Sequence, residues 1–134
     1  MKANLKIMKL MVEELLADPR RVKYLTEEEI AEIDLTTEVD IYAAYEEHCD
    51  YDARDWLWKD KNDIEIPDTV EEHRWYSVKY YARQLADGSW ISFPYFFGMG
   101  DNSASDLDLD PLDYVSNLEV YEETQVVRVF KEID

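Results

Sequence analysis

The apolar residues of the first part of the chain recur at helical spacing. Leu5, Met8, Val12 and Leu15 fall every three or four positions. This period places them on one face of a helix and predicts an amphipathic helix over residues 3–17.

Helix-start patterns predict further short helices in the same half. Asp18 followed by Pro19 combines a capping side chain with a proline in the first turn. Thr26 is followed three residues later by Glu29, which fits a capping box, and Thr37 opens a weaker version of that pattern. The predicted helices cover residues 27–33 and 37–48, with one more helical turn at 52–58.

The second half has the composition of β-structure. Residues 74–85 and 89–97 are rich in aromatic and β-branched side chains, and Asp87-Gly88 between them predicts a hairpin turn. Pro94 limits the second strand to a sheet edge or a short piece, because proline cannot donate a ladder hydrogen bond.

Two further assignments complete the predicted fold. A capping pattern at Thr69 leaves a helix over residues 69–85 as the alternative to the first strand. A last strand is predicted over residues 118–130, where valines alternate with charged residues. The sequence therefore predicts an α+β fold in a single domain over 1–134, with short helices in 1–60 and a small antiparallel sheet in 69–134.

The chain is strongly acidic, with 32 Asp and Glu against 14 Lys and Arg and a formal net charge of −18. Residues 27–72 hold 18 of the acids and three basic residues, whereas residues 1–25 are net basic. Apolar and aromatic side chains separate the acids, unlike the composition of a disordered acidic tail. This charge argues against direct binding to nucleic acid or anionic membrane and favours a cationic partner.

Cys49 is the only cysteine of the sequence, which predicts no internal disulfide and a cytoplasmic setting. The start of the chain is basic and partly apolar, but Lys6 and Lys9 interrupt the apolar run and no small-residue cleavage site follows. No segment has the length of a membrane span. We therefore expect a soluble, intracellular protein.

The sequence offers little for catalysis. His48 and Cys49 are adjacent and His73 is distant, so the spaced ligands of a zinc site are missing. The simpler interpretation is a buried thiol beside a surface imidazole. The carboxylates around Cys49 disfavour a thiolate nucleophile, and no glycine-rich phosphate loop occurs. We predict no enzyme activity, no catalytic residue, no cofactor and no metal.

The acidic loop over residues 101–113 is the best place for a cation, because three alternating aspartates begin there at Asp106. The calcium-loop template nevertheless fails at Pro111, where glycine is needed, and at Asn117, which replaces the bidentate glutamate. We expect a solvated acidic loop.

The acids of residues 27–72 either cover solvated helix faces or form a binding surface. Basic partners for i,i+4 ion pairs are missing, so the helices lack the stabilisation that such pairs provide. If helical throughout, the segment would span about 69 Å at roughly 1.5 Å per residue. Its acids would then be spaced at one carboxylate per roughly 4 Å, which is close to the one phosphate per about 3.4 Å of a DNA strand. Five aromatic residues among these acids are core residues or stacking anchors for arginine: Tyr42, Tyr45, Tyr51, Trp56 and Trp58.

In size, charge, single-domain build and the interleaving of acids with aromatics at 27–72, the chain resembles the acidic anti-restriction and anti-CRISPR proteins of phages and mobile elements, several of which act as DNA mimics. The resemblance implies an inhibitor that occupies the basic groove of a host defence nuclease or CRISPR-Cas complex, with a basic nucleic-acid-binding protein as partner. An immunity-type protein that neutralises a cationic toxin and a non-catalytic phage interaction module are the alternatives. The expected partner-binding residues are Glu27, Glu28, Glu29, Glu32, Asp34, Glu38, Asp40, Glu46, Glu47, Asp50, Asp52 and Asp55.

Overall fold

The computed structural model describes residues 1–49, 53–57, 62–67, 71–72, 76–98, 109–123, 126 and 128–133. Its helices are α1 (Ala3–Ala17), α2 (Pro19–Val22), α3 (Glu27–Glu32), α4 (Glu38–His48) and α5 (Ala53–Trp56). Its strands are β1 (Ile64–Glu65), β2 (Glu71–Glu72), β3 (Tyr76–Gln84), β4 (Trp90–Gly98) and β5 (Ser116–Leu118), with a 3-10 helix at Pro111–Tyr114. Helices precede an antiparallel sheet, which is the predicted α+β fold.

The sheet is built around the hairpin of β3 and β4. The strand order is β1-β3-β4-β5, and β2 also pairs with β3. Tyr76 lies opposite Gly98 at one end of the hairpin and Gln84 lies opposite Trp90 at the other. At the connecting turn, Gly88 has a φ of +89°, a conformation that glycine adopts without a steric penalty. The predicted hairpin is therefore confirmed, and the alternative helix over 69–85 is wrong.

Pro94 does not shorten its strand. It lies within the nine residues of β4, opposite Tyr80 of β3. Among the described residues, β5 pairs only with the first three residues of β4, Trp90 to Ser92, so Pro94 has a strand neighbour on one side alone. Of the two predicted alternatives, the short piece is wrong and the edge position is confirmed for the described residues, because a proline needs no ladder partner on the side where its missing N–H would point.

One cluster of buried side chains joins the helices to the sheet. Ile7 and Val12 of α1 and Ile41 of α4 are fully buried, and so are Ile91 and Phe93 of β4. Because α1 packs against α4 and also meets the sheet, it is buried over more of its circumference than the single predicted stripe. The core thus anchors α4 from its inner face, while the acids of α4 face solvent.

A buried ion pair fixes the loop before β1 against the sheet. The Arg83 guanidinium donates from Nε and from Nη2 to the two carboxylate oxygens of Asp63, both at 2.8 Å, and from Nη1 to the Trp56 carbonyl oxygen at 3.0 Å. The guanidinium carbon also lies 4.7 Å from the centre of the Phe93 ring. The side chain of Asp63 is only 1% exposed, so this contact replaces water almost completely.

The predicted strand over 118–130 is wrong. β5 ends at Leu118, and none of the described residues beyond it belongs to a strand. The pairing register explains this end point, because Leu118 lies opposite Trp90, the first residue of β4. The chain beyond Leu118 therefore runs past the end of the strand with which β5 pairs. The short strands β1 and β2 and the 3-10 helix were not predicted, and the helical turn expected at 52–58 is α5.

Candidate functional site

A capping box fixes the start of α3, while Leu25 and Ile33 on either side of it pack against the core. Thr26 and Glu29 form the predicted capping box, with Thr26 Oγ1 accepting from the Glu29 backbone N–H and Glu29 Oε1 accepting from the Thr26 backbone N–H, each at 3.1 Å. Glu27 and Glu28 share the first turn, where the positive end of the helix dipole favours carboxylates. No residue of α3 is buried. Its acids therefore stand on an exposed helix that their own charge helps to stabilise.

The helix α4 holds a second group of acids on a buried support. Thr37 caps it by accepting from the Asp40 backbone N–H at 3.2 Å, and the Thr37 hydroxyl donates to the Asp40 carboxylate at 2.7 Å. Ile41, Ala44 and Tyr45 face the core. This packing directs the acids of α4 to the opposite side, toward solvent and α3.

The two helices and the residues between them surround a cleft of about 100 Å³. Five predicted partner-binding residues line it: Glu29, Glu32, Asp34, Asp40 and Glu47. The described lining contains no lysine or arginine and is completed by Ile33, Ala43, Ala44 and His48. Acids that are separated in the sequence thus converge on one concave surface, which we call the acidic cleft.

Two carboxylates of the acidic cleft have pKa values below their ordinary range. Hydrogen bonding from the Thr26 backbone, and then from its side chain, lowers the pKa of Glu29. Hydrogen bonding from the Thr36 side chain, and then from its backbone, lowers the pKa of Asp34. These bonds stabilise the ionised form. Hydrogen bonds are therefore the main reason that both groups hold their charge, and for Glu29 the charge of His48 adds a smaller effect.

His48 contributes an imidazole to the lining of the acidic cleft. Its Nε2 lies 3.8 Å from a carboxylate oxygen of Glu47, a contact that is an ion pair only when the imidazole is protonated. The side chain is 7% exposed, so the expected surface imidazole is wrong. Helical spacing is the reason, because His48 follows the buried Ala44 by four residues and the buried Tyr45 by three.

The remaining predicted partner-binding residues surround the acidic cleft or lie outside the described residues. Glu27, Glu28, Glu38 and Glu46 are exposed on α3 and α4 without lining the cleft. Asp50 and Asp52 lie outside the described residues, and the side chain of Asp55 in α5 is not described. The structure therefore groups the described acids on two neighbouring helices and the loop between them, with five of them lining one cavity.

The aromatic residues among the acids divide into two groups. Tyr45 is buried at 3% exposure and belongs to the core, and Trp56 donates from Nε1 to Glu14 of α1 at 2.7 Å. Tyr42 is 51% exposed beside Val39 on the outer side of α4. Tyr51 and Trp58 lie outside the described residues. Of these five aromatic residues, Tyr42 is the one that the described part of the chain shows exposed beside the acids.

Sequence reasoning missed His48, Ile33, Ala43 and Ala44 as cleft residues. The positions on α4 follow from a helical wheel, since Ala43, Ala44, Glu47 and His48 recur three to four residues apart after Asp40. Ile33 carried no such pattern, because it lies just after the end of α3.

The described residues show no other chemical centre. No group of His, Cys, Asp or Glu among them has the geometry to hold a metal ion. Cys49 is fully buried, as predicted for the thiol. In the acidic loop, residues 101–108 lie outside the described part, and Asp110 accepts a hydrogen bond from the Leu112 backbone at 3.0 Å as the cap of the 3-10 helix.

Comparison of the chain with protein-family models, with curated proteins and with solved structures gave no match. Within the part of the chain that the structure describes, no helix has both the length and the apolar character needed to cross a membrane.

Proposed function

We propose that this protein is a DNA-mimic-like inhibitor that binds the basic nucleic-acid groove of a host defence nuclease or CRISPR-Cas complex through α3 and α4. The observation that carries the proposal is the acidic cleft. Five carboxylates surround one cavity, and the described lining holds no lysine or arginine to neutralise them. A partner that brings cations to this surface removes that imbalance.

The cleft suits the side chains that line a nucleic-acid groove. Arginine presents a planar fork of N–H donors that matches carboxylates in pairs, and such charge-assisted hydrogen bonds are stronger than neutral ones. A groove that normally holds DNA contacts phosphates with its lysines and arginines, and the DNA releases condensed counterions in exchange. Carboxylates on rigid helices occupy the positions of phosphates in that exchange, while the partner's arginines contact Asp40 and Glu47 from one side and Glu32 from the other.

Two features of the helices support rigid presentation. The acids of α4 stand on a helix anchored by fully buried Ile41, and the start of α3 is fixed by its capping box. A preorganised anionic surface loses less side-chain freedom on binding than a flexible acidic tail would. Like charges held this close also destabilise the free protein, and a cationic partner relieves that repulsion.

The test is capture of host proteins on the immobilised full-length chain, across a salt series and with a DNA duplex as competitor. We expect the retained proteins to be nucleic-acid-binding, to elute as salt rises, and to be displaced by the duplex. Retention that is unchanged by high salt and by the duplex would contradict the proposal. Capture of one cationic toxin alone would instead favour the immunity-type alternative.

Charge reversal locates the contact surface. Glu28, Glu32 and Glu47 are exposed and take no part in helix capping, so their joint replacement by lysine should leave the fold intact. We expect affinity for a captured partner to fall by about tenfold or more, since like charges then face each other. The matched control reverses Asp113, Glu122 and Glu123, which are exposed and lie outside the cleft. Equal losses in both variants would indicate a general charge effect and would sink the assignment to α3 and α4.

A further inference from the structure

A second concave surface lies between α1 and the β3–β4 turn, apart from the acidic cleft. This groove encloses about 450 Å³ and has apolar walls formed by Leu10 and Leu85. Its volume is within the range of sites that accommodate small ligands or several side chains. Two lysines and two acids stand around it: Lys6, Lys9, Glu13 and Asp87. We call it the α1–hairpin groove.

The same molecule exposes an apolar segment at its C-terminal end. We define the C-terminal arm as residues 119–133, of which 119–123, 126 and 128–133 are described. Val126, Val129, Phe130 and Ile133 are each at least 87% exposed. Single apolar residues scattered on a surface need no explanation. Four almost fully exposed apolar side chains within eight residues instead indicate an interaction segment.

The arm begins at the edge of the groove. Leu118, the last residue of β5, lies opposite Trp90, immediately after the β3–β4 turn that forms one wall. The Asn117 side-chain amide donates to the carbonyl oxygen of Met1, and Met1 also lines the groove. The start of the C-terminal arm and the α1–hairpin groove are therefore neighbours at one end of the sheet.

Charge favours contact between these two surfaces. The lysines and acids around the groove balance, in a chain whose formal net charge is −18. The C-terminal arm carries Glu119, Glu122, Glu123 and Glu132 against Arg128 and Lys131, a net charge of −2, and over its apolar end the two cations stand against Glu132 alone. Like-charge repulsion, which opposes association between most other parts of two such acidic chains, is therefore minimal for this pair. The acids that the arm's two cations would meet are Glu13, which lies 3.9 Å from Lys9 in an exposed pair, and Asp87, which accepts hydrogen bonds from Ser89.

We propose that the C-terminal arm of one chain docks in the α1–hairpin groove of a second copy, and that the exchange is reciprocal. Since each arm starts beside its own groove, a two-fold axis near this end brings each arm to the other chain's groove. Two identical contacts of this kind make a closed, isologous dimer. The second copy is favoured over the chain's own arm because the described apolar side chains of the arm remain exposed in the single chain.

The test measures the oligomeric state of the full-length chain by sedimentation velocity over a concentration series. The arm variant combines Val129→Asp with Phe130→Asp, and the groove variant Ala86→Trp fills the groove at an exposed position. A matched control, Val39→Asp with Tyr24→Asp, changes a valine and an aromatic residue of 78% and 79% exposure elsewhere. We expect a concentration-dependent dimer for the wild type and the control, and at least a tenfold higher dissociation constant for the arm and groove variants.

Mixing the two variants separates docking from misfolding. An arm-deficient chain keeps an open groove and a groove-filled chain keeps an intact arm, so the mixture should form a heterodimer through one arm, more tightly than either variant associates alone. A wild-type chain that stays monomeric at every concentration would overturn the proposal. So would a dimer that survives the arm variant, or arm amides protected from hydrogen exchange in a monomer, which would place the arm on its own chain.

Discussion

Replacing Arg83 by methionine should destabilise the fold more than any surface charge change. Arg83 and Asp63 form a two-pronged contact with both N–O distances at 2.8 Å, and their side chains are 17% and 1% exposed. Methionine keeps part of the apolar stem against the Phe93 ring but removes all donors. The substitution leaves the Asp63 carboxylate buried with its principal counter-charge gone.

The size of the effect follows from that burial. Removing one partner of a buried ion pair costs about 3–5 kcal/mol, because the other charge remains desolvated. The contact of Arg83 with the Phe93 ring adds a smaller loss, of order 1 kcal/mol. Replacing both partners, as Arg83→Met with Asp63→Leu, should cost less than either single change, since no uncompensated charge is then buried.

Urea unfolding of the two single variants, the double variant and the wild type measures this coupling directly. The exposed pair of Lys79 and Glu65, 3.2 Å apart with side chains 35% and 51% exposed, is the internal control. Lys79→Met should change the free energy of unfolding by less than about 1 kcal/mol. A loss of under 1 kcal/mol for Arg83→Met, or additive single and double changes, would refute the reasoning.

Three further predictions concern the local structure. Thr26→Ala should destabilise α3 by about 1 kcal/mol through loss of the cap, measured by amide exchange. The pKa of Glu29 is lowered in the folded protein, so its carboxylate stabilises the fold at pH values above its ordinary pKa of 4.5. That stabilisation is lost as the pH falls through the lowered pKa. In Thr26→Ala, an NMR titration should find the pKa of Glu29 closer to 4.5. Gly88→Ala should cost about 1–2 kcal/mol in urea unfolding, because φ is +89° and an added Cβ meets nothing within 4 Å, so backbone strain is the whole penalty. The Cys49 thiol, fully buried, should react with a thiol reagent only as fast as the core opens; rapid labelling of the native protein would contradict its burial.

Short-range patterns were sufficient for the helices and the central hairpin. Asp18 accepts from the Arg20 backbone at the start of α2, and Thr26 and Thr37 cap α3 and α4 as predicted. Asp87-Gly88 forms the turn between β3 and β4. In each case the deciding interaction joins residues at most three positions apart or depends on one residue's backbone preference. Such terms are the same in any tertiary setting, so the sequence alone contains them.

The sequence also determined that acids would dominate α3 and α4, but not that five of them would meet. Whether Glu29 and Glu32 face Asp40 and Glu47 depends on how α4 and the residues flanking α3, such as Ile33, pack on the same core, and the described core residues come from distant parts of the chain. The pairing of Arg83 with Asp63 is likewise a contact across 20 residues.

The end of the sheet shows the same division. Alternating valines after Leu118 have the composition of a strand, but a strand forms only where a neighbouring strand has free backbone groups to pair with. Leu118 lies opposite the first residue of β4, so the ladder stops there whatever the later residues prefer. Local preference was therefore determined by the sequence itself. Tertiary structure alone decided which residues obtain a partner, because hydrogen bonds and ion pairs between distant positions exist only after the core has fixed their geometry.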